Sequence, residues 1–363
     1  MANEVNGQEK SAGSAANPES EVLLDVKNLK TYFHLASGIA RAVDGVSFTL
    51  SRGETLGVVG ESGSGKSMMA KSLIRLFEAN ARIEEGSIEF EGRDVLSFGK
   101  KELRDYRGRD IGMIFQDPMT SLDPVFKVGQ QMTENLRIHR NMSKAEAREV
   151  AIAALRSVNI PNPEARFNSY PFELSGGMCQ RVIIAMAICS HPKIIIADEP
   201  TTALDVTVQA RVLELLRELQ RNLNTGILLI THNLGVVWEM CDDVMVMYAG
   251  QTVEKAETKE LYAEPLHPYT WGLLDSIPRL SDESKGMLTT IPGVPPDLRL
   301  TGECCNFCNR CRYAQDICRT SVPPLVEVKP NHFVACHLQN GTNKLERVIT
   351  REVETEQTNR EAE

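Results

Sequence analysis

A glycine-rich stretch between a short apolar run and a helical segment constrains this chain most. Residues 60–67 read Gly-Glu-Ser-Gly-Ser-Gly-Lys-Ser and fit the pattern G-x-x-x-x-G-K-[ST], directly after the apolar run Thr55–Val59. A strand, a glycine-rich turn and a helix in this order wrap backbone N–H groups around phosphate oxygens at the positive end of the helix dipole. The sequence therefore predicts a nucleotide-binding α/β domain, and residues 60–67 are called the phosphate loop below.

Every residue of the phosphate loop is a candidate ligand contact. We expect Lys66 to neutralise charge on the β- and γ-phosphates, and we expect the Ser67 hydroxyl to bind Mg²⁺. The remaining candidate nucleotide contacts are Gly60, Glu61, Ser62, Gly63, Ser64 and Gly65. An ordinary glycine-rich turn before a helix is the alternative interpretation.

Two acidic residues follow a second apolar run, predicted as a buried strand at residues 194–197. Asp198 and Glu199 would then lie at the carboxyl edge of the sheet, where open α/β sheets bind ligands. Asp198 suits a magnesium ion, and Glu199 suits a general base that polarises the attacking water. Two exposed acids that merely end a strand are the alternative.

A second potential anion site begins at the sequence Leu-Ser-Gly-Gly, residues 174–177, which is called the signature segment below. Ser175, Gly176 and Gly177 precede an apolar helical run, so free N–H groups and a hydroxyl would face an anion. The phosphate loop already holds this chain's own nucleotide, so this helix requires a phosphate from elsewhere. Taken alone, the signature segment also fits an ordinary capped helix.

Composition limits the remaining possibilities. The 363 residues are enough for about two domains, and a net charge of −9 argues against a nucleic-acid partner. The sequence has no apolar run of the roughly 18 residues that a membrane-spanning helix needs, and its first 21 residues lack the apolar core of a secretory signal. We therefore expect a protein that stays in the cytosol.

Alternating strand and helix patterns predict an α/β fold with a largely parallel sheet. The expected strands cover residues 22–26, 46–50, 55–59, 194–197 and 227–230, and the expected helices cover residues 67–77, 143–158 and 206–223. Residues 1–21 and 341–363 are predicted as a flexible and a polar tail. Composition changes after Pro265, so we place the nucleotide-binding domain at residues 22–265 and a small cysteine-rich C-terminal extension at residues 266–340.

Six of the nine cysteines lie within residues 304–336, called the cysteine module below. In a reducing cytosol such a cluster indicates a metal site more than disulfides. Four thiolates suit zinc and an iron–sulfur cluster equally well on ligand chemistry. The spacing Cys305-x2-Cys308-x2-Cys311 is ferredoxin-like, and a metal-free or disulfide-linked module is a further alternative.

Taken in order along the chain, these motifs resemble those of ABC-transporter ATPase subunits. The order is phosphate loop, Gln116, signature segment, Asp198-Glu199, Ala203-Leu204-Asp205 and His232. The resemblance implies an ABC-type P-loop ATPase domain with a helical subdomain at about residues 118–185. It also implies that two subunits sandwich two ATP molecules, and that each signature segment faces the partner's phosphate loop.

Individual roles follow from the same resemblance. It implies that Gln116 contacts Mg²⁺ and senses the transporter, that Asp205 crosses the dimer interface, and that His232 holds the γ-phosphate. Tyr32 or Phe33 occupies the position where this family stacks an aromatic ring on adenine, although a core aromatic is equally compatible. Asn233 follows His232 where Asp is usual, which could alter hydrolysis at this site.

Further segments resemble the dipeptide/oligopeptide permease branch of the family. They are residues 115–124, 197–205, 246–250, 267–270 and 291–296. The resemblance implies ATP-driven peptide import on the cytoplasmic face of the membrane. The implied partners are a second related ATPase subunit in a heterodimer, two membrane permease subunits and an extracytoplasmic peptide-binding protein.

The branch also has a four-cysteine C-terminal module, which holds a [4Fe–4S] cluster in some members. The matching residues here are Cys305, Cys311, Cys318 and Cys336, and they leave Cys304 and Cys308 as spare.

Two other functional classes are weighed against the transporter interpretation. A soluble metal-cluster protein that uses ATP as a switch would not need Gln116 in its Asp-Pro-Met-Thr-Ser-Leu context, a region expected to meet a membrane subunit. A soluble ABC-type ATPase in translation or DNA repair normally needs two cassettes or a long coiled coil, and the sequence contains neither.

Overall fold

The computed structural model of the chain describes residues 21–202, 204–277 and 291–347. Ala203, residues 1–20 of the expected N-terminal tail and residues 348–363 of the expected C-terminal tail lie outside the described residues. Within the described ranges, no helix combines the length and the apolar character needed to cross a membrane.

Strands form two sheets in the described part of the chain. Their bounds are β1 Val22–Leu35, β2 Gly38–Ser51, β3 Thr55–Val59, β4 Ala81–Phe90, β5 Arg93–Asp94, β6 Ile111–Ile114, β7 Ile194–Asp198, β8 Gly226–Ile230, β9 Asp243–Tyr248, β10 Gln251–Glu257, β11 Val326–Lys329 and β12 His332–Val334.

Helices cover both faces of the larger sheet and fill the stretch between β6 and β7. Their bounds are α1 Lys66–Leu73, α2 Lys100–Asp105, α3 Pro118–Ser121, α4 Val128–Arg140, α5 Lys144–Ser157, α6 Pro163–Phe167, α7 Gly176–Ile188, α8 Val206–Leu223, α9 Leu234–Met240, α10 Thr258–Ala263, α11 Pro268–Asp275 and α12 Asp316–Thr320.

The larger sheet has the order β11-β12-β10-β9-β3-β8-β7-β6 among the described residues, and its strands from β9 to β6 run parallel. Every residue of β3, β7 and β8 is buried, as expected for strands covered on both faces. β3 is central, and the phosphate loop follows it directly. The parallel α/β core predicted from the sequence is therefore confirmed.

The prediction of a parallel sheet is wrong for the strands in the first part of the chain. β1, β2, β4 and β5 form a separate antiparallel sheet in the order β2-β1-β4-β5. The reason is a two-residue turn: Leu35 at the end of β1 pairs with Gly38 at the start of β2, and Gly38 takes a φ of +127°. A connection this short joins antiparallel strands, whereas parallel strands need a long crossover.

Helix α1 ends at Leu73, although the sequence pattern predicts helix to residue 77. Arg75 adopts a left-handed conformation with φ +53°, which stops the helix. Its guanidinium donates to the carbonyl oxygens of Val95 (3.2 Å) and Phe98 (3.0 Å). The helix therefore ends where a long-range contact holds Arg75.

The C-terminal extension joins the larger sheet and shares the core of the ATPase domain. β12 pairs with β10, with Val334 opposite Glu254. Phe307 of the cysteine module is 4% exposed and belongs to the main hydrophobic core. The extension therefore depends on the ATPase domain for its burial.

Candidate functional site

The phosphate loop is a tight backbone turn between β3 and α1. Gly60 has φ +155° and Gly65 has φ +102°. A Cβ at either position would stand 2.2 Å from a carbonyl oxygen, that of Met247 on β9 for Gly60 and that of Ala42 on β2 for Gly65. Glycine is required at both positions because neighbouring strands press directly against the loop backbone.

Lys66 lies inside the phosphate loop and is 5% exposed. Its ammonium group donates to the carbonyl oxygens of Gly60 (2.7 Å) and Glu61 (2.9 Å). Burial lowers the pKa of Lys66, and the carboxylates of Glu199 and Asp198 oppose that shift. The structure thus brings the loop lysine and both acids of the β7 strand end together.

Asp198 ends β7 and is 3% exposed. Its Oδ1 atom has no hydrogen-bond partner within the part of the chain that the structure describes. Burial raises the pKa of Asp198, and the Ser67 hydroxyl opposes this shift. An unpartnered carboxylate oxygen beside a hydroxyl is the hard oxygen chemistry that Mg²⁺ prefers, so these residues fit a magnesium ion.

Glu199 stands next to Asp198 in a left-handed conformation with φ +49°. Such a backbone costs of order 1–3 kcal/mol in a residue with a side chain, and it clusters at functional sites. The Glu199 N–H donates to the carbonyl oxygen of Ile230 (2.8 Å). Its Oε2 accepts from the Thr202 hydroxyl (2.9 Å), and its Oε1 lies 3.2 Å from Nδ1 of His232. Glu199 and His232 therefore meet, and Thr202 is a partner that sequence reasoning missed.

Gln116 is exposed and lies two residues beyond β6. β6 runs parallel to β7, with Ile114 opposite Ala197, so Gln116 and Asp198 share the carboxyl edge of the sheet.

The two candidate adenine-stacking residues lie on β1. Tyr32 is half-buried, and its hydroxyl donates to Oδ1 of Asp44 (2.6 Å). Tyr32 pairs with Arg41 of β2, next to the residue that borders the phosphate loop. Phe33 is the next residue of the strand, where side chains point to alternate faces, so just one of the two aromatics can stack on a given base.

The signature segment and Asp205 each stand at the N-terminus of a helix, on the surface of the chain. The Ser175 hydroxyl caps α7 by accepting from the Met178 N–H (3.4 Å), and Asp205 caps α8 by accepting from the Val208 N–H (3.0 Å). Ser175, Gly176 and Asp205 are exposed, whereas Gly177 is half-buried. Among the described residues, nothing lies within 4 Å of the position of a Cβ on Gly176. These groups are therefore open to a second molecule.

Two residues of the C-terminal extension contact the phosphate loop, and sequence reasoning missed both. The Tyr269 hydroxyl accepts from the Glu61 N–H (2.8 Å), and Arg310 pairs with the Glu61 carboxylate (2.5 Å). Tyr269 lies in the segment 267–270, where the sequence indicates a resemblance to the permease branch but no contact with the loop. No local signal in the sequence connects Arg310 to a loop 249 positions away.

Cys305, Cys311, Cys318 and Cys336 lie close enough together for one thiol to affect the pKa of another. The thiols of Cys318, Cys336 and Cys308 raise the pKa of Cys305, and Cys318 raises that of Cys311. The pKa of Cys308 is raised mainly by burial and by Cys304, with a smaller effect from Cys318. Burial raises the pKa of Cys305 to about 12 and that of Cys336 to about 11. Within the described ranges, no group of three or more His, Cys, Asp or Glu side chains is arranged to hold a metal ion. The expected zinc or iron–sulfur centre thus stays a prediction.

Comparison with known proteins places these features in a family. A family model described as "ABC transporter" matches residues 43–202, and one described as "Oligopeptide/dipeptide transporter, C-terminal region" matches residues 253–318. The chain is 50% identical over 321 residues to the oligopeptide transport ATP-binding protein OppD of Escherichia coli, covering 88% of this chain and 94% of that protein. It is 48% identical over 314 residues to the dipeptide transport ATP-binding protein DppD of Lactococcus lactis, covering 86% and 90% respectively.

Solved structures agree with the fold of the ATPase domain. An ATP-binding cassette solved as a dimer in a post-hydrolysis state with ADP and phosphate matches with a TM-score of 0.60 and 26% identity. The match covers 65% of this chain and 99% of that cassette. The resemblance drawn from the sequence motifs is confirmed at the level of the family and of the ATPase fold.

Proposed function

Because the chain belongs to the ATP-binding proteins of oligopeptide and dipeptide ABC transporters, we propose that its phosphate loop binds the ATP whose hydrolysis drives peptide import. The chain is the ATPase subunit of such a transporter and works on the cytoplasmic face of the membrane, attached through its partners. The observation that carries the assignment of chemistry is the convergence of Lys66, Asp198 and Glu199 at the carboxyl edge of the sheet.

Each residue at this edge has a distinct task. Lys66 binds the β- and γ-phosphates, and the loop N–H groups cradle their oxygens. Glu199 accepts the proton of the attacking water, and His232 holds the γ-phosphate beside it. Magnesium held by Ser67, Asp198 and Gln116 would supply compensation for the charge that develops on the phosphate oxygens. Tyr32 or Phe33 stacks on adenine.

A second ATPase subunit completes the site. The exposed Ser175, Gly176 and Asp205 support this proposal because they are open to another molecule, and the matched cassette was solved as a dimer. We expect a related subunit rather than a second copy as the partner, because the resemblance to the permease branch implies one. The net charge of −9 adds mild repulsion to a homodimer. Two permease subunits and a peptide-binding protein complete the assembly.

The cysteine module is the candidate site of a [4Fe–4S] cluster, with zinc as the alternative. The proximity of Cys305, Cys311, Cys318 and Cys336, where one thiol raises the pKa of another, supports this set of ligands, which is the set that the family resemblance implies. Its contribution would be to order the module, and no catalytic step depends on it.

The proposed chemistry is tested by separating binding from hydrolysis in the assembled transporter. E199Q should bind ATP normally and hydrolyse it about 10²–10⁴-fold more slowly, because a positioned base is lost while the phosphate cradle stays. K66A should instead weaken ATP binding itself. ATP affinity is measured with a fluorescent nucleotide and turnover by phosphate release. Near-normal turnover in E199Q would remove Glu199 from this role, and unchanged affinity in K66A would contradict the assignment of the loop.

A further inference from the structure

Glu61, the second residue of the phosphate loop, is held by contacts from three sides. Its carbonyl oxygen accepts from the Lys66 ammonium (2.9 Å), and its N–H donates to the Tyr269 hydroxyl (2.8 Å). Its carboxylate accepts from both terminal nitrogens of Arg310, at 2.5 Å and 2.9 Å. Two of these three partners, Tyr269 and Arg310, belong to the C-terminal extension. The extension therefore holds the loop at the residue that also contacts Lys66.

Arg310 is built into this position rather than resting on the surface. Its side chain is 5% exposed, and the pair with Glu61 is bidentate, the geometry in which an arginine fixes a carboxylate most firmly. The remaining guanidinium donors reach the carbonyl oxygens of Pro292 (2.9 Å) and Ile291 (3.3 Å) and the Tyr248 hydroxyl (3.3 Å). Arg310 therefore has one fixed orientation, and that orientation fixes Glu61.

The charge of Glu61 makes this contact relevant to nucleotide binding. A carboxylate on the phosphate loop would repel the triphosphate that the loop must bind. Arg310 is a positive charge in direct contact with it. The Arg310 side chain is buried and that of Glu61 is half-buried, so water screens this pair less than it screens a fully exposed pair. Loss of Arg310 would leave an unpaired negative charge beside the ATP site and would release the loop from the extension.

We propose that Arg310 is a positioning residue for ATP binding, which neutralises Glu61 and fixes the first turn of the phosphate loop. This inference rests on the proposed ATP site. It makes the C-terminal extension a part of the nucleotide site of its own subunit. The tie to the phosphates passes through Glu61, so Arg310 acts on ATP affinity more than on the chemical step.

The test uses the full chain for ATP binding and the assembled transporter for turnover. R310A should weaken ATP binding by about tenfold, the size expected for one uncompensated charge in partly screened surroundings, with a smaller change in kcat. R310K keeps the charge without the bidentate fork and should show an intermediate loss. The double variant R310A/E61Q should recover most of the affinity, because the unpaired carboxylate is gone.

The control is R299A, which removes another arginine of the extension that is paired with a carboxylate, Asp297, at an exposed site. Within the described residues, the hydrogen bonds of the Arg299 side chain go to Asp297 and not to the loop. R299A should bind ATP like the wild type. Recovery in R310A/E61Q also excludes an indirect effect through the adjacent Cys311, which E61Q does not touch. If R310A fails to fold, R310K and R310K/E61Q give the same comparison.

The outcomes separate this inference from the proposed function. Failure of the wild-type chain to bind ATP would contradict both. Normal binding by the wild type together with unchanged affinity in R310A and R310K would overturn this inference alone. The inference would also be overturned if affinity and kcat fell together with the melting temperature and E61Q restored none of them, since the pair would then serve stability alone.

Discussion

The phosphate loop and the C-terminal extension are stabilised in opposite ways. The loop consists of eight consecutive residues that follow a buried strand, the last two of which begin α1, and its shape is set by backbone geometry at Gly60 and Gly65. The described part of the extension beyond residue 290 has little regular structure besides α12, β11 and β12. Its contacts are long-range ones, such as Arg310 with Glu61 and β12 with β10.

This difference predicts how a substitution in one region should affect the other. The proposed functional carboxylates, Asp198 and Glu199, lie at the carboxyl edge of the parallel sheet, so changing them should alter chemistry without loosening the extension. The extension shares the main core through Phe307 and grips the loop through Arg310, so changing its interior should affect both its own stability and ATP binding.

The largest expected effect is on the loop side, in the variant D198N. Loss of the carboxylate should lower ATP hydrolysis by about a hundredfold or more, because the ligand for Mg²⁺ is removed. The same change should raise the free energy of unfolding of the nucleotide-free chain by about 0.5–2 kcal/mol, the range of substitutions that relieve a strained functional site. Phosphate release measures the first effect, and thermal or urea unfolding measures the second.

The pH dependence of the D198N effect follows from the sign of the shift. Burial raises the pKa of Asp198 in the folded chain, so the ionised carboxylate opposes folding at pH values above that raised pKa. The stability gained in D198N should be largest there and should shrink as the pH falls through it. A variant that is less stable than the wild type at neutral pH would show that Asp198 has partners in solution that compensate its burial.

The same contrast explains what the sequence could and could not reveal. The bounds of β3 and α8 agree with the expected residues 55–59 and 206–223, because apolar pattern and capping residues are local. The convergence of Lys66 and Asp198 was also predictable, because carboxyl ends of parallel strands share one edge. Local information was sufficient for the centre of the site.

Long-range contacts account for what the sequence did not reveal. The antiparallel sheet of β1 and β2 depends on a two-residue turn before Gly38, a signal that could have been used. The end of α1 depends on contacts of Arg75 with a distant segment. The pair Arg310–Glu61 joins residues 249 positions apart, and no pattern within either segment indicates it.

An intermediate effect is expected in the extension, in the comparison of C311S with C308S. The two cysteines are three residues apart, and just Cys311 belongs to the proposed ligand set. C311S should lose bound metal and lower the melting temperature of the extension. A small module without a large hydrophobic core needs a metal or a disulfide to stabilise it. C308S should keep its metal and lose stability just by the cost of placing a hydroxyl at a buried site, about 1–3 kcal/mol.

Anaerobic purification followed by iron, sulfide and zinc analysis decides between the metals. Four irons per chain support the cluster, and one zinc supports the alternative. The absence of both metals, together with equal melting temperatures in C311S and C308S, would show that these thiols are ordinary buried side chains.

The smallest expected effect is a pH dependence of stability from His267, which is 2% exposed and lies at the N-terminus of α11. Burial lowers the pKa of His267 to about 3. Its ring Nδ1 accepts from the Tyr269 N–H (3.0 Å), and the backbone N–H of His267 donates to the buried Glu254 carboxylate (3.0 Å). The ring therefore stays neutral in the folded chain, where it packs near Phe307 at 5.8 Å.

The sign of this effect follows from proton binding. Between pH 6.5 and about 3 the unfolded chain binds a proton at His267 that the folded chain does not, so stability should fall as the pH falls, by at most about 1.4 kcal/mol per pH unit. H267N keeps a capping acceptor for α11 and should flatten the dependence between pH 6.5 and 4.5. The control H191N changes an exposed histidine whose φ of +46° suits asparagine, and it should leave the slope unchanged. Equal slopes in the wild type and H267N would mean that the N-terminus of α11 opens to water before the chain unfolds. The extension would then unfold separately from the phosphate loop. The two regions would differ in their free energies of unfolding as well as in the contacts that hold them.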